Sequence, residues 1–253
     1  MRDWTYDTAE DIDQSVLERL QRIPREPDML VYGARYVTAI LVRTWMRLYH
    51  RLTLVGIENL PAEGSYVLVA NHASHLDTLG LLSAFPVQKL HRVFPAAAKD
   101  FFFVTVPRVA ITAVMINALP FDRYTNVRQS LSLCRSLLER PNTVLLIFPE
   151  GTRSTDGGMG EFKPGIGYLL AGTEYPVLPC HIQGTYETLP KGRWVPRPGR
   201  IQVTIGQPRR YTHLKRCKAS VTTICNDLRD DIHSLAAGIS APSNSDAVPE
   251  DDT

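Results

Sequence analysis

The sequence predicts an α/β protein: a single domain with a mostly parallel central sheet flanked by helices, preceded by an N-terminal amphipathic helix that associates with a membrane. Three observations predict it. The runs SYVLVA (65–70) and TVLLIFPE (143–150) are almost continuously apolar, as strands buried on both faces of a parallel sheet are. Segments of helical periodicity alternate with such runs along the chain, the order expected of one α/β unit. Finally, MLVYGARYVTAILVRTWMRLYHRL (29–52) is apolar but carries Arg35, Arg43, Arg47 and Arg51, spaced eight, four and four apart and so on one helical stripe.

Taken in order, residues 1–28 read as a short polar helix ending at the turn IPREPD. In segment 29–52 the four arginines argue against a membrane crossing. The segment is expected to lie in the interface, apolar side down and arginines at the headgroups. An amphipathic helix packed on its own domain is the competing expectation. LTLVGIENLP (52–61) reads as a strand and turn, SYVLVA as a strand, TLGLLSAF as a helix and HRVFPAAAK as a strand and turn. FFFVTVPRVAITAVMINALPF (101–121) has the length of a span, but Pro107 and Arg108 interrupt it, so it is expected to be a buried or membrane-dipping element.

TNVRQSLSLCRSLLER (125–140) is an amphipathic helix with Val127, Leu131, Cys134, Leu137 and Leu138 on one face and Thr125 or Asn126 as its cap. After the strand 143–150, GIGYLLAGT makes a short helix and YPVLPCHI a strand, in which Pro176 and Pro179 suggest an edge or site-lining position. IQVTIGQP (201–208) alternates like a strand near an edge, and SVTTICNDLRDDIHSLAAGI (220–239) is a closing helix. The expected organisation is an N-terminal polar segment and interfacial helix (1–51), the α/β domain (52–240) and a disordered acidic tail (241–253).

The net charge of +2 hides a division: 1–28 and 241–253 each carry −4, and the body between them +10. A basic body rich in arginine suits phosphate-bearing partners, because guanidinium grips phosphate bidentately. Nucleic acid is the weakest of these, since no helix-turn-helix, finger or aromatic RNA-binding motif is present. A dinucleotide loop fails at Leu170, where the glycine pattern begun by Gly165 and Gly167 should continue. Four cysteines without a CxxC pair read as reduced thiols. The opening MRDWTYDTAEDIDQ is too acidic and polar for a secretory signal.

The chemistry concentrates in VLVANHASHLDTLG (67–80), a polar knot at the carboxyl end of a predicted strand, where open α/β sheets place their sites. His72 and Asp77 are five apart, about 140° around a continuous helix, so they meet only if His72 lies in the strand–helix loop and Asp77 in the first helical turn. A carboxylate on one imidazole nitrogen would then leave the other free to accept a proton. With seven histidines and 15 aspartates such a spacing arises readily by chance, so the pair alone carries little. A metal set of His72, His75 and Asp77 lacks a second Cys/His cluster to complete it, and none is expected. His75 reads as a structural, helix-start residue.

Three further clusters follow: LPFDRY (119–124), with Asp122 and Arg123; FPEGTRS (148–154), with Glu150, Gly151, Thr152 and Arg153; and YPVLP (175–179). Each alone has a bland reading, as a surface ion pair, a capped turn in which Arg153 pairs with Glu150, or a strand. In this order the four resemble the motifs of the glycerophospholipid acyltransferase family, the lysophosphatidate-acyltransferase-like proteins. ANHASHLD contains that family's NHxSxxD, FPEGTRS matches its third motif closely, and YPVLP its fourth, with Tyr175 where a small apolar residue is common. AAAKD (96–100) and FKPGIG (162–167) also look like the family, and the resemblance spans about residues 52–208.

The resemblance implies transfer of a fatty acyl group from a thioester, acyl-CoA or acyl-carrier protein, to the free hydroxyl of a lysophospholipid, above all 1-acylglycerol-3-phosphate giving phosphatidic acid. His72 and Asp77 are then the catalytic pair, His72 as general base. Arg123, Glu150, Gly151, Thr152 and Arg153 are implied to hold the acceptor's glycerol-phosphate end, with Lys99 as an additional candidate. No bound cofactor or metal is implied, no G-x-S-x-G nucleophile elbow occurs, and direct attack without an acyl-enzyme is expected. The implied partners are the two substrates and an anionic membrane surface, with the protein peripheral or monotopic on its cytoplasmic side. A lipid-binding or membrane-docking module without turnover is the competing reading, although such a module need not keep both His72 and Asp77.

Overall fold

A computed structural model describes residues 29–98, 119–121 and 127–238. The polar segment 1–28, most of 101–121, the caps Thr125 and Asn126 and the acidic tail lie outside the described residues. Helix α1 (Met29–Leu48) is followed by β1 (Thr53–Val55), β2 (Tyr66–Ala70), α2 (Leu76–Leu82), β3 (Val93–Ala98), β4 (Leu119–Phe121) and α3 (Val127–Leu138). Then come β5 (Val144–Ile147), α4 (Gly165–Leu170), β6 (Val177–Gln183), α5 (Thr185–Thr188), β7 (Gln202–Ile205) and α6 (Lys218–Ala236).

The strands form one seven-stranded sheet in the order β1-β7-β6-β2-β5-β3-β4. The five strands from β6 to β4 run parallel, and β7, paired antiparallel to β6, turns itself and β1 the other way. The mostly parallel sheet flanked by helices is the architecture that the apolar strand runs predict. β2 shows why those runs lack alternation: it lies at the sheet centre and all five of its residues are buried. Val67 and Val69 join α3, α4 and α6 on one face, while Leu68 and Ala70 pack with Leu81, Leu82 and Phe85 around α2 on the other.

Three details differ from the sequence expectations. LPF (119–121), read as the end of an apolar element and the start of LPFDRY but not as a strand, supplies the edge strand β4. β6, whose segment was expected at an edge or lining the site because of Pro176 and Pro179, lies inside the sheet. Pro179 is tolerated because β7 ends at Ile205: the Gly206 N–H donates to Pro179 O (2.8 Å), and only the reciprocal bond is lost. Two residues earlier on β6, Val177 and Arg209 exchange both backbone bonds (2.9 and 2.8 Å), so the ladder resumes past the proline.

The third difference concerns the arginine stripe of α1. It was expected at the headgroups, with packing on the protein's own domain as the competing expectation. As the competing expectation has it, Arg35 is buried against the body and the Arg43 guanidinium donates to the Phe85 carbonyl, while Arg47 and Arg51 are exposed. Met46 on the same inner side is fully buried. Long arginine stems cover apolar surface while their heads find carbonyl acceptors, so the stripe suits an inward face as well as a headgroup layer. Val37, Ile40, Leu41 and Leu48 are left exposed on the outward side. Among the described residues no helix is long and apolar enough to cross a membrane.

Candidate active site

The register of β2 and β5 creates the site. The two strands are parallel neighbours, with Val69 beside Ile147, so both leave the sheet at the same end and carry the knot and FPEGTRS out together. Asn71, the first residue beyond β2, continues the ladder with its side chain. Its Nδ2 donates to Ile182 O (2.9 Å), and the Ile182 N–H donates to its Oδ1 (2.8 Å), fixing the point where the knot departs from β6.

His72 lies in the strand–helix loop and Asp77 in the first turn of α2. Nδ1 of His72 is 2.8 Å from Asp77 Oδ2, and because a carboxylate oxygen accepts, that nitrogen carries the proton. The same Oδ2 accepts the N–H groups of Ala73 and Ser74, each at 2.7 Å. Asp77 thus folds the loop around itself as a carboxylate in the first turn of a helix does, while also orienting the imidazole. Asp77 is fully buried, whereas the His72 side chain keeps 17% exposure. With Nδ1 taken by Asp77, Nε2 is the nitrogen left for a reacting partner. The Phe148 ring stacks on the imidazole at 4.0 Å between centroids and 16° between planes, holding it in one orientation.

The third cluster grips the same histidine through its backbone. Glu150 Oε1 accepts the His72 N–H (2.7 Å), Oε2 accepts the Gly160 N–H (2.9 Å), and the Ser154 N–H donates to His72 O (2.8 Å). The bland expectation of a Glu150–Arg153 turn is not what the structure shows: both Glu150 oxygens are engaged by backbone amides. Burial nonetheless pushes its carboxyl above the usual range, with those two N–H groups pulling the other way. Gly151 turns the chain with φ 71° and donates its N–H to Phe148 O (3.1 Å), a conformation that a residue with a Cβ resists. At Gly160 a Cβ would lie 3.2 Å from Glu150 Oε2, so a bare backbone lets the carboxylate approach.

Arg153 is half-buried and precedes Ser154, whose N–H meets His72 O; burial shifts its guanidinium below its ordinary value, while the field of Asp77 acts in the opposite sense. His75 starts α2, and burial, followed by the charge of Arg153, lowers it to about 4, so it is neutral near pH 7. No three His, Cys, Asp or Glu side chains among the described residues are grouped to hold a metal ion. Thr152 is exposed next to Arg153. Arg123 and Lys99, as well as Asp122, lie outside the described residues.

The structure therefore brings together His72, Asp77, Glu150, Gly151 and Arg153. It adds Phe148, Asn71 and Gly160, which sequence reasoning quoted or passed over without a role. The phenylalanine carried a usable signal, since an aromatic at the end of a buried strand beside a site histidine is positioned to stack on it. Gly160, ten residues from Glu150, carried none.

Fold and site together define an α/β protein with a carboxylate-oriented histidine at the carboxyl ends of its parallel strands. The model of the acyltransferase family matches residues 51–183. Over 188 residues the chain is 33% identical to the chloroplastic 1-acyl-sn-glycerol-3-phosphate acyltransferase LPAT1 of Arabidopsis thaliana, covering 73% of this chain and 49% of that protein. It is 32% identical over 190 residues to the 1-acyl-sn-glycerol-3-phosphate acyltransferase of Pseudomonas aeruginosa, covering 70% of this chain and 69% of that protein. The crystal structure of the 1-acyl-sn-glycerophosphate (LPA) acyltransferase PlsC from Thermotoga maritima superposes with a TM-score of 0.61 at 26% identity, over 83% of this chain and 82% of that one. The chain belongs to the acyltransferase family, and it spans about half the length of the plant relatives it matches.

Proposed function

We propose that the protein transfers a fatty acyl group from an acyl thioester to the free hydroxyl of 1-acylglycerol-3-phosphate, giving phosphatidic acid. The observation that carries this reading is the 2.8 Å contact of His72 Nδ1 with the buried Asp77, at the carboxyl ends of the strands. It is supported by the activity for which the relatives in Arabidopsis and Pseudomonas are named.

In this mechanism Nε2 of His72 takes the proton of the glycerol hydroxyl as its oxygen attacks the thioester carbonyl. Asp77 holds the tautomer and stabilises the imidazolium that forms. The tetrahedral intermediate collapses by breaking the carbon–sulfur bond. The imidazolium then returns its proton to the departing thiolate, whose conjugate acid has an ordinary pKa of about 8.5, so leaving is easy. No acyl-enzyme forms, because the attacking oxygen belongs to the acceptor. Arg153 and Thr152 hold the acceptor phosphate by charge and hydroxyl, Gly151 lets it come close because it carries no side chain, and Arg123 and Lys99 join them. Glu150 acts through the His72 backbone, which it fixes. The donor is acyl-CoA or acyl-carrier protein.

The acceptor is a membrane lipid, and the outward apolar stripe of α1 suits a protein seated peripherally on the cytoplasmic, anionic leaflet. The test is thiol release from an acyl-CoA with lysophosphatidate by the unmodified chain and by His72→Ala. Turnover should fall at least ~10³-fold in the variant while the melting temperature stays close to that of the unmodified chain. Retained turnover in a folded His72→Ala protein would refute the assignment of the base.

A further inference from the structure

The segment 190–200, PKGRWVPRPGR, takes no part in the site, yet among the described residues it exposes the largest apolar side chain left in solvent. Trp194 is 84% exposed and Val195, its neighbour, 76%. A tryptophan this bare is unusual on a soluble surface, because it forgoes most of its burial and its indole N–H seeks a polar layer. Around the two apolar residues stand Lys191, Arg193, Arg197 and Arg200, all exposed, and no acidic residue occurs between Leu189 and Ile201.

The loop is not loosely hung. At its neck the Arg197 N–H donates to Thr188 O (2.9 Å), and a Cβ on Gly199 would lie 2.2 Å from Thr188 Cγ2, so the two limbs are pressed together. One flank is tied to the end of α1: Tyr49 Oη donates to Pro196 O (3.2 Å) and the Ile201 N–H to His50 O (3.0 Å). The other is tied to the site, because Ser74 in the knot donates its hydroxyl to Leu189 O (2.7 Å). A braced loop with an apolar tip and a cationic collar therefore stands between the knot and the α1 end that exposes Leu48.

We propose that this loop docks on an anionic phospholipid bilayer, Trp194 and Val195 entering the interface and Lys191, Arg193, Arg197 and Arg200 meeting the headgroup phosphates. The chemistry commits to that occupant. Tryptophan favours the headgroup level, where its ring is buried and its N–H is wet, and clustered basic residues gain from an anionic surface. The hydrogen bond between Ser74 and Leu189 then holds the loop at a fixed place relative to the knot, so docking sets the site at one orientation over the lipid. This rests on the reading that the acceptor is a membrane lipid.

The experiment is sedimentation of the full chain with phosphatidylcholine vesicles, with and without phosphatidylglycerol, at low and raised salt. The unmodified chain should bind the mixed vesicles far better than pure phosphatidylcholine. Trp194→Ser with Val195→Ser should weaken binding to the mixed vesicles roughly tenfold or more. Replacing Lys191, Arg193 and Arg197 with Gln should lose the preference for phosphatidylglycerol and its salt dependence. Turnover of a short-chain lysophosphatidate dissolved as monomers should not change in the Ser variant.

A second measurement does not depend on that variant. The fluorescence of the unmodified chain minus that of Trp194→Phe isolates Trp194, and it should shift to the blue on mixed vesicles and be quenched by lipids brominated on their acyl chains. Equal binding by the Ser variant, or an unshifted and unquenched Trp194 signal, overturns the proposal while leaving the peripheral reading intact. Failure of the unmodified chain to bind any vesicle overturns both. A concentration-dependent dimer that Trp194→Ser abolishes would overturn it in favour of a second copy of this chain as the occupant.

Discussion

Glu150 shows how one side chain can carry a role that its residue type does not announce. A glutamate in a Gly-Thr-Arg turn reads as a substrate contact or an arginine partner, yet here its oxygens take the N–H groups of His72 and Gly160. Glu150→Gln separates the two roles. The amide keeps one acceptor and turns an NH₂ toward the other N–H, which costs ~1–3 kcal/mol of stability and loosens the His72 backbone. Misplacing a general base by a fraction of an ångström lowers the chemical step, so kcat should fall ~10- to 100-fold with KM for lysophosphatidate little changed. A rise in KM at unchanged kcat and unchanged melting temperature would instead make Glu150 a substrate contact. At this scale the histidine and aspartate of the knot were legible through their place at a strand's carboxyl end and the three clusters that follow, since their residue types and spacing alone carry little. The sequence was illegible where a partner is a backbone amide, because every residue except proline offers the same N–H.

Among the elements, the apolar runs were read correctly because a strand buried on both faces has no other composition available. Helix packing is less legible, since it depends on which small residue meets which backbone. GIGYLL was recognisable as a short helix, but nothing in it says that Gly167 rests on the first turns of α6. A Cβ on Gly167 would lie 2.7 Å from Val221 O, 2.8 Å from Val221 Cγ1 and 2.9 Å from Val221 Cα. Two of these are backbone atoms of a regular helix and cannot rotate aside, so α4 and α6 must separate. Gly167→Ala should therefore destabilise the protein by ~1–3 kcal/mol or more, although alanine is the better helix former by about 1 kcal/mol. Urea unfolding followed by circular dichroism measures this, and a midpoint at or above that of the unmodified chain would show that the helices do not meet as closely as described. Pro179 teaches the same lesson in the sheet: its place in β6 follows from where β7 stops, which lies in another part of the chain.

For the molecule as a whole, the arginine stripe of α1 was visible in the sequence, but not the side it faces. Periodicity gives two stripes without saying which one the body takes, and arginine stems can cover apolar surface as apolar side chains do. The body took the one with Arg35, Arg43 and Met46, and Val37, Ile40, Leu41 and Leu48 were turned outward. If that outward stripe is the seat of the protein on lipid, Leu41→Glu with Leu48→Glu removes two apolar anchors and adds two charges that an anionic surface repels. Sedimentation with phosphatidylglycerol-containing vesicles should then fall ~100-fold or more, at about a tenfold loss for each 1.4 kcal/mol. Turnover of lysophosphatidate embedded in those vesicles should fall with it, and turnover of a monomeric short-chain lysophosphatidate should not. Both residues are exposed and make no core contact, so the melting temperature should hold. A marked fall in melting temperature would mean that the stripe is covered by this chain itself, and undiminished vesicle binding would move the membrane seat to another surface, with the Trp194 loop the first to test.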